Sequence, residues 1–191
     1  MRCLKFVVAS LILLAGAGLL FIYSGLYNIS AIHKDNALVR WVLETTMEHS
    51  LRHHAAAVQV PALDDSAMIH TGFVNFREMC VECHGAPGVE ACELAAGLNP
   101  PAPDLTAASM LLSPAELFWI TKNGVKMTGM PAWGPTHPDE KIWGIVAFMG
   151  KLSGLTPADY GEMVRRAEEG GEKMEKHEHH HGQGEQHGGT E

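Results

Sequence analysis

Hydrophobic and polar positions divide this chain into three unlike stretches. From Phe6 to Tyr23 every residue is apolar or small and none is charged. As a helix that run rises about 27 Å, enough to cross the hydrocarbon core of a bilayer. Arg2 and Lys5 precede it, which predicts a membrane anchor over 6–24 with residues 1–5 on the cytoplasmic side. A cleaved signal peptide would share the basic start, but its apolar region is shorter, and bulky Phe21, Ile22 and Tyr23 favour retention.

The middle stretch alternates helical patterns with breakers. Asp35–Ala57 reads as a helix with Leu38, Val42, Met47 and Leu51 as a loose apolar stripe, and Val60–Asp65 breaks it. Residues 25–65 are therefore expected to be a juxtamembrane helix and linker. Met68–Met79 is a second helix, with Gly72, Phe73, Phe76 and Met79 on related faces. Pro87–Asp104 reads as loop because of Pro100, Pro101 and Pro103. Ser113-Pro114-Ala115-Glu116 is a helix start of capping-box type, and Gly124 ends the helix that carries Leu117, Phe118 and Ile120. Lys126–Pro138 is a Gly/Pro-rich loop. Asp139–Leu152 closes the domain as an amphipathic helix with Ile142, Trp143, Ile145, Val146 and Met149 inward. No segment alternates long enough for a sheet, so the fold class is all-α, with the folded domain at 66–155. A short helical stretch through Arg166 then gives way to Glu, Gly, Lys and His, and 156–191 is expected to be a polar, His-rich disordered tail.

Composition changes this picture only at the edges. The 191 residues leave room for one modest domain plus appendages, and the net charge of −8 argues against a nucleic-acid partner held through phosphates.

Candidate chemistry concentrates at Cys80-Val81-Glu82-Cys83-His84. Two thiols three apart followed at once by an imidazole is the pattern that attaches a c-type haem. Cys80 and Cys83 can form thioethers with the two vinyl groups on one porphyrin edge, and His84 then lies below the ring as the proximal iron ligand. A zinc site would need a second ligand pair, and the remaining cysteines, Cys3 and Cys92, stand alone. Such haem attachment takes place on the far side of the bacterial inner membrane, in agreement with the anchor.

The opposite axial position decides between carrier and catalyst. Met130, set between Gly129 and Pro131 in a loop joining two helices, is the expected distal ligand, and Met127 is its local competitor. His70 and His137 are weaker alternatives that would lower the reduction potential. His49 and His53 share a helical face but lack a third ligand. In the tail, His177, His179, His180, His181 and His187 form a weak metal-binding composition.

With these residues in view, 66–155 resembles a class I, mitochondrial-type cytochrome c domain. Gly72 with Phe76 resembles the signature of that family's N-terminal helix, and Cys80–His84 matches its attachment motif. Pro103-Asp104-Leu105 resembles the family's Pro-x-Leu, which implies that the Pro103 carbonyl supports His84. Trp143 and Phe148 fall where the family's last helix crosses the first at Gly72. The resemblance is strongest to single-haem cytochromes of bacterial respiratory chains, including domains attached to dehydrogenases and oxidases. It implies a class I fold around one covalent haem c, preceded here by the anchor and an extra helix.

A filled axial pair leaves no open site for substrate, so the expected function is one-electron transfer by a non-enzymatic, single-pass cytochrome of the bacterial inner membrane, haem domain in the periplasm. Its expected partners are the membrane and redox proteins: a quinol-linked or periplasmic dehydrogenase on one side, a terminal acceptor such as an oxidase on the other. The rival readings are a haem peroxidase or gas-binding protein with a labile distal ligand, and a metal-handling module built on the His-rich tail.

Overall fold

The computed structural model describes residues 2–181, and for 170–181 the backbone alone. Residues 2–36 and 37–181 form separate units. In the first, α1 (Arg2–Tyr23) carries the apolar run, and none of its side chains is buried within the protein. Its 22 residues rise about 33 Å, long and apolar enough to cross a bilayer. Ser24 closes the helix by donating its hydroxyl to the Phe21 carbonyl at 2.7 Å.

Among the described residues the regular elements of the second unit are helical. Its helices are α2 (Ala37–Ala55), α3 (Ser66–Met79), α4 (Val81–His84), α5 (Glu93–Ala96), α6 (Leu105–Leu111), α7 (Pro114–Asn123), α8 (Asp139–Met149) and α9 (Pro157–His181), with a 3-10 turn at Leu152–Gly154 before α9. Among the described residues the only extended pairing is an isolated bridge between Ala86 and Val89.

The core forms where α3 crosses α8. Gly72 meets the backbone of α8 at Gly144, so the two helices approach without side chains between them. Flanking that crossing, Phe148 packs its ring 5.3 Å from Phe73 and 5.1 Å from Phe76. All of Ile142–Met149 is buried, beyond the inward positions expected from an amphipathic pattern. α7 joins through Phe118, stacked on Trp143 at 4.0 Å. Its start is the expected capping box: the Ser113 side chain accepts from Glu116 N, and Glu116 Oε2 accepts from Ser113 N at 2.8 Å.

The helix expected within 25–65 is present as α2 and is packed: Leu51 and Ala55 of α2 are buried, and His54 stacks on Trp119 of α7 at 5.3 Å with an interplanar angle of 8°. Two expectations are corrected. The 87–104 segment contains the helical turn α5, which begins only after Cys92 and ends at Gly97, between its prolines and Gly88. The helical stretch expected through Arg166 is the start of α9, which runs on to His181 where a disordered tail was expected. Thr156 and Asp159 cap α9 reciprocally, Tyr160 is 1 % exposed, and Met163, Val164 and Ala167 pack on the same core. Spacings of three and four made that face, whereas the expectation of disorder weighed polar composition over periodicity.

Candidate functional site

The attachment motif occupies the corner where α3 ends. Cys80 donates its amide to the Phe76 carbonyl at 2.9 Å, and its own carbonyl accepts from His84 N at 2.9 Å and Cys83 N at 3.2 Å. One tight turn therefore carries both cysteines and the histidine. Cys80 is buried, and that burial, with Cys83 beside it, pushes its thiol pKa up to about 12. Cys83 is half-buried, and the two thiols are unlinked. After His84 the chain reverses at Gly85, whose φ of 66° belongs to the left-handed region. A Cβ there would stand 2.7 Å from the Val89 carbonyl oxygen. The returning loop is pinned to the motif by Cys92 N, which donates to the Glu82 carbonyl at 2.8 Å.

His84 Nδ1 lies 2.8 Å from the carbonyl oxygen of Pro103. A carbonyl only accepts, so Nδ1 is the donor, and in the neutral ring Nε2 then keeps its lone pair. Pro103 is placed by the helix that follows it, since Asp104 caps α6 by accepting from Thr106 N at 2.8 Å. That cap was missed in the sequence, although Asp104 before Leu105 is an ordinary start signal.

The methionine loop leaves α7 at Gly124, where φ is 65° and a Cβ would stand 2.7–2.8 Å from backbone atoms of Met130, Pro131 and Ala132. Only glycine lets the two arms come this close. The Thr128 hydroxyl donates to the Val125 carbonyl at 2.9 Å and accepts from Met130 N at 3.1 Å, while Val125 N donates to the Met130 carbonyl at 3.2 Å. These bonds fix the backbone of Met130, whose side chain is half-buried. Met127 stands at the loop's corner with φ 60° and is 82 % exposed. Beyond Met130 the loop is tied back to α7 by Gly134 N to Lys122 O at 2.8 Å, and Lys122 Nζ pairs with Asp139 of α8 at 2.6 Å.

The turn itself fits a bound haem c, since it carries two free thiols and an imidazole hydrogen-bonded through Nδ1 to Pro103. Among the described residues no three His, Cys, Asp or Glu side chains converge as a metal-ion site. His70 is exposed, and His137 lies against Trp133 and Thr136. The side chains of His177, His179, His180 and His181, and all of His187, lie outside the described residues.

An all-helical fold built on the α3–α8 crossing, with the attachment motif at the end of its first helix, defines a class I-type cytochrome c domain, a haem-binding class that serves electron transport. Residues 67–149 match the family model described as Cytochrome C oxidase, cbb3-type, subunit III. No curated protein and no solved structure matches the chain.

Proposed function

We propose that this protein is a membrane-anchored, single-haem electron carrier of a bacterial respiratory chain. In this reading Cys80 and Cys83 hold the haem as thioethers, and His84 and Met130 are its axial ligands. Haem c, when bound, supplies a one-electron Fe(III)/Fe(II) couple.

The observation that carries the reading is the bond between His84 Nδ1 and the Pro103 carbonyl, on the turn that also bears both free thiols. It orients the ring and makes Nε2 a stronger donor. On the other side, the Gly124–Thr128–Met130 network presents a soft thioether, which favours the reduced state and raises the potential. Both axial positions are then supplied by the chain, which supports electron exchange over catalysis at an open iron.

The anchor confines the domain to the membrane surface, where partners in the same membrane meet it at high effective concentration. The basic residues Arg2 and Lys5 support a periplasmic position for the haem domain. The matching family model favours a terminal oxidase as acceptor, with a quinol-linked or periplasmic dehydrogenase as donor. The test is a redox titration of the membrane fraction from cells with and without the gene. A haem staining on a denaturing gel at about 21 kDa, reduced by quinol and oxidised by oxygen through the terminal oxidase, is the expected result. A chain that carries no haem through denaturation would overturn it.

A further inference from the structure

α2 is amphipathic in an unusual sense, because it has two apolar faces. One is buried: Leu51 and Ala55 pack toward α7, with His54 on Trp119. The other lies on its first turns, where Leu38, Trp41 and Val42, three and four residues apart and so on one side of the helix, are 69 %, 62 % and 46 % exposed. Farther along that same side come His49, Arg52 and His53, all exposed and polar. On this side the exposed apolar residues are therefore confined to the end of α2 nearest in sequence to α1, while Leu43 and Met47, 43 % and 40 % exposed, lie toward its other side.

We propose that this end of α2 is a lipid-binding surface, seated in the headgroup region of the leaflet from which α1 emerges. The inference rests on the reading of α1 as a membrane anchor. Residues 24–36 separate the two helices, and a linker of that length spans at most about 45 Å, so with α1 in the bilayer Leu38–Val42 stay within that reach of its surface. The linker itself exposes Leu26, Ile29 and Ile32, side chains that water covers poorly and acyl chains cover well. Tryptophan beside aliphatic residues is the chemistry of the membrane interface, where the indole N–H stays hydrated and the ring is buried. Arg40, with its head in ion-pair range of Glu44 at 4.0 Å, can lay its stem along the same boundary. Because α2 packs on α7, seating its first turns in lipid would hold the cytochrome domain at the surface in a restricted set of orientations rather than on a free tether.

The test uses the full-length, haem-loaded protein in pure phospholipid vesicles. Cys3 and Cys92 are replaced by serine, and Val42→Cys carries a nitroxide label; a label on Glu90→Cys serves as the exposed reference. Collision rates with dissolved oxygen and with a polar nickel chelate are compared by electron paramagnetic resonance. The expected result is an oxygen-to-chelate ratio several-fold higher at position 42 than at position 90, falling toward the reference value when Leu38→Ser and Trp41→Ser are added. Equal ratios in protein that resists an alkaline carbonate wash would overturn the lipid surface while leaving the anchor standing. Release by the wash would overturn the anchor, and this proposal with it. Shielding of position 42 only in native membranes, and not in pure lipid, would reassign the patch to a protein partner and overturn it too.

Discussion

Gly72 of α3 and Gly144 of α8 lie backbone against backbone, with the position a Gly144 Cβ would take only 3.4 Å from the Gly72 Cα. The contact is asymmetric. A methyl on Gly72 would overlap the Gly144 carbonyl group, whereas one on Gly144 would meet Met68 O and Gly72 atoms at 3.3–3.4 Å. Backbone atoms on both helices leave little room to adjust. Gly72→Ala should therefore cost about 3 kcal/mol or more, and Gly144→Ala about 1 kcal/mol. Melting curves of the haem-loaded protein followed at the Soret band give the order; equal costs would contradict it.

The two loop methionines should separate cleanly. Met130→His replaces a thioether with an imidazole and should lower the reduction potential by on the order of a hundred millivolts. Met127→Ala removes an exposed side chain and should leave the potential unchanged. Potentiometric titration of both variants checks the assignment, which reverses if Met127→Ala produces the drop.

Ser113 holds the Glu116 carboxyl below its ordinary pKa, through its backbone N–H first and its hydroxyl second. A carboxylate with a depressed folded pKa contributes stability that is present above its unfolded value and lost as the pH falls through the folded one. The wild-type domain should lose this contribution on acidification below about pH 4.5. Ser113→Ala keeps the backbone N–H and removes the hydroxyl, so it should lower stability by about 1 kcal/mol near neutral pH and flatten that acid loss only in part. Denaturation midpoints of the two proteins at pH 7 and pH 3.5 measure both effects; a constant difference across pH would count against it.

Docking of α2 depends on few side chains. Leu51→Ala leaves a cavity beside α7 worth about 2–5 kcal/mol, which is more than a helix held at one edge can lose. α2 amides should then exchange rapidly, while α3 and α8 keep their protection. Hydrogen exchange resolved by segment reads this directly.

What was legible in the sequence follows from how local each signal is. Ser113 to Glu116 is a self-contained start signal, and the structure has that cap. Gly72 and Phe76 mark one half of a crossing, and the all-α fold built on it is present. Gly144 was not read as the other half, because a glycine inside an apolar helix has no local signature of close approach. Gly124 was read as the end of its helix, and it caps α7 with a positive φ; only the close approach of Met130 to Ala132 across the loop lay outside its local signal. Docking of α2 on α7 depends on His54 meeting Trp119, residues far apart in the chain and unremarkable alone. Tyr160 was passed over because the polar residues around it outweighed a spacing that only the core makes meaningful.

The proposed function stands on an iron axis held by His84 and Met130 in a domain bound to haem through Cys80 and Cys83. The optical spectrum of the oxidised protein tests it most directly. The weak sulphur-to-iron charge-transfer band at the red end should be present in wild type and absent in Met130→Ala. An oxidised wild-type spectrum without that band, or one in which Met130→Ala keeps it, would contradict the account.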